Sequence, residues 1–65
     1  MTMKTFNANG KEINVKDVNF INIIYIDEHL MDVTVHTVDN IERFLSKDEA
    51  LFEELDKYCD ISSEK

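Results

Sequence analysis

Proline and tryptophan are absent from this 65-residue chain, and glycine and cysteine occur once each. Without proline and with Gly10 alone, few breaks are written into the backbone. The single Cys59 excludes a disulfide within the chain. No apolar run reaches the length of a membrane span. The opening MTMKTFNANG lacks the apolar core of a signal peptide, which with the lone cysteine leads us to expect a cytoplasmic protein. Cations are scarce: 7 Lys and Arg stand against 14 Asp and Glu, for a formal net charge of −7. Such a chain repels nucleic acid and anionic membranes and attracts basic surfaces. Direct nucleic-acid binding needs a basic patch interleaved with aromatics. Lys4, Lys11 and Lys16 around Phe6 are the one candidate, and three lysines on a hairpin read as ordinary surface.

What is present suits a globular domain, with 43% hydrophobic and 32% charged residues. A chain of this length is one domain, taken here as 1–60 with a frayed tail at 61–65. It buries only about 60% of its unfolded surface, so its stability alone is marginal. Association with another chain is the most economical staple. We therefore expect a homo-oligomer.

Asn9-Gly10 is a strong hairpin signal and places strands at 3–8 and 11–16. VNFINIIYI, residues 18–26, is apolar on both faces and reads as a central or interface strand. Residues 31–38, MDVTVHTV, alternate: Met31, Val33 and Val35 on one face, Asp32, Thr34 and His36 on the other. Asp39 with Glu42, and Ser46 with Glu49, are capping-box signals for two helix starts. Ile41, Phe44 and Leu45 give the first an apolar face; Leu51, Leu55 and Tyr58 give the second its own. The expected fold is α+β: a small four-stranded, mainly antiparallel sheet in the order β-β-β-β-α, with a C-terminal amphipathic helix on one face. One helix covers one face only. Either Ile21, Ile23 and Tyr25 or Phe20, Ile24 and Ile26 are then left uncovered, and the first set is assigned as the oligomer interface.

The acids are placed unevenly. Residues 1–26 carry about one net positive charge and residues 27–65 about eight negative ones. Glu49, Glu53, Asp56 and Asp60 fall at i, i+4, i+7 and i+11, one stripe of a helix. Like charges at i,i+4 cost about 0.2–0.5 kcal/mol per pair, and Lys57 answers Glu53 alone. A stripe kept at a cost points to use in binding, whereas the plainer reading is solubility. The stripe would span about 16 Å. A DNA duplex of that length carries on the order of nine charges. Asp39, Glu42, Asp48 and Glu54 would have to contribute for the surface to imitate it.

No catalytic or cofactor-binding constellation emerges. Asp27, Glu28, His29, Asp32 and His36 are the only local cluster of metal-ligand types, without zinc or calcium spacing. Cys59 lies on the apolar side of the helix, as a small hydrophobe. There is no glycine-rich phosphate loop, and a chain this short has little volume for a pocket. We expect no enzyme, metal or cofactor.

The stretch INIIYIDEHLMDVTVHT resembles the first strands of LytTR-type DNA-binding domains, which run I-x-Y-I-E, a variable turn, V-x-V-H-T and then a helix. Ile23, Tyr25, Ile26, Asp27, Val33, Val35, His36 and Thr37 carry the match, and DEALFEELDKY stands where that family has an acidic, leucine-rich helix. The resemblance covers half of the chain and implies strand, turn, strand and helix. That family's basic DNA-contacting segment has no counterpart here, so DNA contact is not carried over. The functional expectation is a non-catalytic binding module whose acidic helix face, with Asp39 and Glu42, docks on a basic, nucleic-acid-binding surface of a larger protein. Small acidic chains without motifs look like inhibitors that phages and mobile elements direct against host defence, CRISPR effectors included. The alternative is a structural or regulatory homo-oligomer whose acids serve solubility.

Overall fold

The computed structural model describes residues 4–64. Asn9 (φ 55°) and Gly10 (φ 84°) both adopt the left-handed conformation that a two-residue hairpin turn requires. The Gly10 N–H donates to Asn7 Oδ1 at 3.0 Å. The turn joins β1 (Thr5–Ala8) to β2 (Lys11–Asn14), an antiparallel pair with Phe6 opposite Ile13. Met3, expected at the start of the first arm, lies outside the described residues. The Asn14 side chain accepts the Lys16 N–H and opens a single 3-10 turn, Val15–Asp17, that leads into β3.

The hairpin does not join the main sheet. That sheet has the order β5-β4-β3-β6 and is mixed. β3 (Val18–Tyr25) pairs antiparallel with β4 (Met31–Thr37), the strand that the alternation in 31–38 predicts. In the connection between them the Leu30 carbonyl accepts both the Ile26 and Asp27 N–H groups, at 2.9 and 3.2 Å. This is the strand-turn-strand of the LytTR-like stretch, but another strand follows before the helix.

Two segments depart from expectation. Ile41–Ser46, read as a short helix, is β5 and pairs antiparallel with β4. A helix of under two turns nucleates poorly and would leave one edge of β4 without partners. The Thr37–Asn40 turn sets up the pairing. Thr37 N–H and Oγ1 both donate to the Asn40 carbonyl at 2.9 Å, and Oγ1 accepts the Asn40 N–H at 3.0 Å. Ile61–Glu64, read as frayed, is β6, parallel to β3 with Ile21 opposite Ile61. Lys65 lies outside the described residues. β6 occupies the edge of β3 that β4 leaves free, and it begins where the Ile21 N–H donates to the Asp60 carbonyl at 2.8 Å.

The helix α1 is short, Glu49–Leu55. Its N-cap is Asp48, whose carboxylate accepts the Leu51 N–H at 3.1 Å; Ser46, the expected cap, instead accepts the Asp48 N–H. Phe52 and Leu55 are buried and belong to one core with Phe6, Ala8 and Ile13 of the hairpin, Ile21 and Ile23 of β3, and Met31, Val33 and Val35 of β4. Phe44 of β5 reaches the same core and lies 6.4 Å from Phe52, ring centre to ring centre. Lys11 of the hairpin pairs with Glu42 of β5 at 3.0 Å.

This core corrects the assigned oligomer interface. Ile21 and Ile23 are buried within the chain and Tyr25 is half-buried. They sit directly opposite Val35, Val33 and Met31, so the apolar face of β4 selects them for the inside. The side of β3 left in water carries Phe20 and Ile24.

Candidate partner-binding surface

α1 turns Phe52 and Leu55 inward, which leaves Glu49 and Glu53 outward one turn apart. Asp56 caps the C-terminal end with helical φ and ψ and is exposed. The stripe stops there. Residues 56–59 form turns, with the Tyr58 and Cys59 N–H groups both bonded to the Leu55 carbonyl at 2.9 Å. Asp60 is therefore off the helix, exposed at the entrance to β6. Lys57 reaches Glu54 at 3.4 Å rather than Glu53.

Glu49, Glu53 and Asp56 line an open groove of about 260 Å³ whose other wall includes Tyr25, Ile61 and Ser63. A second hollow of about 410 Å³ adjoins it, lined by Tyr25, Ile26, Asp27, Glu28 and Glu49. Tyr25 and Glu49 are common to both. The two grooves thus form one surface with five carboxylates around a tyrosine, and neither is lined by a lysine or arginine. Among the described residues the ion pairs engage Glu42, Asp32 and Glu54, and none engages these five acids. Asp27 and Glu28 were not assigned to this surface from sequence. Their arrival beside Glu49 depends on how the β3–β4 turn sits against the helix, which no local pattern encodes.

Asp39 and Glu42 are not part of it. They line a separate hollow of about 170 Å³ beside the hairpin, together with Lys11, Glu12 and Asp17. Glu42 is committed there: it accepts from Lys11 Nζ and from Asn40 Nδ2, both at 3.0 Å. Asp48 is engaged as the helix cap.

The metal-type residues disperse into other roles. Asp32 accepts three hydrogen bonds from Arg43, Nε at 3.1 and 3.2 Å and Nη2 at 2.6 Å. These bonds, more than Arg43's charge, hold the Asp32 carboxyl below its usual range against the opposing effect of desolvation. His36 stacks on Phe20 with ring centres 4.0 Å apart and planes at 16°. No group of three or more His, Cys, Asp or Glu among the described residues could hold a metal ion. Cys59 is half-buried, and desolvation, with the Asp60 charge adding to it, pushes its thiol pKa up. A thiol shifted that way is less reactive, not more.

Compared with known protein families, curated proteins and solved structures, the chain matches none. Among the described residues no helix is long and apolar enough to cross a membrane.

Proposed function

We propose that the chain is a non-catalytic protein-binding module that docks the Glu49–Glu53–Asp56 surface, with Asp27 and Glu28, on a basic surface of a larger protein. The observation that carries this reading is five carboxylates around two joined grooves that no cation lines. Like charges gathered without counter-ions cost stability, and a cationic partner relieves that cost on binding. Tyr25 and Ile61 supply apolar contact inside the acidic rim, the combination that anchors an interface. Many basic protein surfaces are nucleic-acid sites. On this reading the chain is an inhibitor or regulator of a nucleic-acid-binding effector in the cytoplasm, the role filled by the small acidic anti-defence proteins of phages and mobile elements. Asp60, Asp39 and Glu42 have no contact role in it.

A titration with a short Lys/Arg-rich peptide, followed by NMR, tests the reading. Shifts should concentrate at Tyr25, Glu49, Glu53 and Ser63 and fade as salt is added. Glu49→Gln, Glu53→Gln and Asp56→Asn together should slow association about tenfold or more at low salt. An equal neutralisation at Glu12, Asp17 and Asp39 should have a smaller effect. Equal losses from both triple variants would mean that net charge alone attracts the peptide and that the grooves have no part in it.

A further inference from the structure

Among the described residues seven large apolar side chains are exposed, and four of them share one surface. Phe20, Ile24, Ile41 and Leu45 are 41, 44, 60 and 60% exposed on the face of the four-stranded sheet turned away from the core. The pairing register sets their layout. One row across the strands is Ile41, His36, Phe20; the next is Arg43, Thr34, Asn22; the third is Leu45, Asp32, Ile24. The apolar residues thus occupy the four corners, and a polar row runs between them.

We propose that a second copy of this chain covers that face, in a twofold dimer whose axis runs across the strands along the Arg43–Thr34–Asn22 row. That operation exchanges the outer rows. Phe20 meets the partner's Ile24, Ile41 meets the partner's Leu45, and Arg43, Thr34 and Asn22 each meet their own copies, so Arg43 approaches the axis only because Asp32 holds its charge. A twofold contact demands such a self-complementary pattern.

Charge argues for the same occupant. The chain carries −7 overall, so two copies repel on most approaches. On this face Asp32 and Arg43 neutralise each other, and Glu64 at the β6 edge is the one other charge among the described residues of the four strands that face this way. The Asp32 and Arg43 charges are already paired, so covering them strands neither. The size is adequate for a weak dimer. The four strands hold 8, 7, 6 and 4 residues, which at about 4.8 Å between strands and 3.3 Å per residue give a footprint of roughly 400 Å² per copy. Two copies bury on the order of 800 Å², below the roughly 1,000 Å² that a stable interface clears, so the dimer is a weak one. The acidic surface beside α1 is separate, so this proposal stands or falls independently of the docking reading.

Sedimentation of the full chain across the micromolar range tests it. A monomer–dimer equilibrium is expected, and added salt should strengthen it by screening the repulsion between the two acidic copies. Docking on a basic partner would weaken with salt instead. Ile24→Asp and Leu45→Asp should each raise the dimer Kd about tenfold or more without lowering the melting temperature of the dilute protein. Val38→Asp adds the same charge at an exposed site beside the hairpin and should leave the dimer intact. In a mixture of isotope-labelled and unlabelled chains, NMR should connect the Phe20 ring to the Ile24 side chain of the other copy. Within one strand these residues stand about 13 Å apart, too far for that signal. A monomer throughout the range, or a dimer indifferent to both face substitutions and lacking the Phe20–Ile24 signal, would overturn the proposal.

Discussion

Two leucines ten positions apart separate the strand reading of Ile41–Ser46 from the helical one. Leu55 is fully buried in the core, and Leu45 is 60% exposed on the outer sheet face. Truncating Leu55 to alanine removes transfer energy and leaves a cavity, at a cost of about 2–5 kcal/mol. A chain of this size has a total stability of about 3–10 kcal/mol. Leu55→Ala therefore removes about a fifth of the stability or more, and at about 4–8 °C per kcal/mol the melting temperature drops by at least about 8 °C. Leu45→Ala changes a side chain already in water and should stay within about 0.5 kcal/mol. The assay is urea denaturation followed by far-ultraviolet circular dichroism, since the chain has no tryptophan. Protein is kept dilute enough to be monomeric, so that Leu45 reports on the single chain. If 41–46 were a helix with Ile41, Phe44 and Leu45 on its buried face, Leu45→Ala would cost as much as Leu55→Ala. Equal costs would refute the β5 assignment. A Leu55→Ala cost below about 1 kcal/mol would refute the place of α1 in the core.

Two further outcomes follow from local geometry. The folded-state pKa of Asp32 is depressed by Arg43, so the stability this pair contributes is present above the ordinary carboxylate pKa and is lost as pH falls through the lower folded value. Arg43→Ala should thus be less stable than the parent at neutral pH, with the gap closing in strong acid, and NMR should show the Asp32 carboxyl titrating higher than in the parent, toward the ordinary carboxylate range. Gly10→Ala should cost about 1 kcal/mol by urea midpoint from its left-handed backbone alone, because an added Cβ at Gly10 meets nothing within 4 Å.

The legible parts of the fold were those written by neighbours in sequence. Asn9-Gly10 specified its turn through backbone freedom, and the alternation of residues 31–37 specified β4. β5 was hidden because Ile41, Phe44 and Leu45 fit a helical spacing, while its true alternation puts Glu42 on the core side and Leu45 in water. Glu42 can turn that way because it meets Lys11, a partner 31 positions earlier in the chain. β6 was hidden for a similar reason: Ile61–Glu64 has little pattern of its own and forms by pairing with β3. β3 is apolar on both sides, so its own residues could not say which side faces inward; Met31, Val33 and Val35 decided it from the next strand. On the acidic surface, Glu49, Glu53 and Asp56 were readable from helical spacing. Asp60 was lost because the helix ends at Leu55, and Asp27 and Glu28 were missed because tertiary packing alone brings them there.

The parallel strand β6 has a consequence for how the molecule avoids its own kind. Successive residues of β3 point their backbone groups to opposite neighbours. The Ile21 side of that alternation belongs to β6, and the other side belongs to β4. The β4 side is closed by a short turn; the β6 side closes a loop that holds β4, β5 and α1. Long loops cost more entropy to close, so the β6 bonds are the later set to form and the earlier to open. Whenever β6 lifts, β3 presents a bare edge, rich in Ile and Phe, that any extended chain could join. Ser62, Ser63 and Glu64 contribute almost nothing to the core, since all three are exposed. Their worth lies in the pairing they forestall: four residues act as a guard rail along a strand that is apolar on both faces.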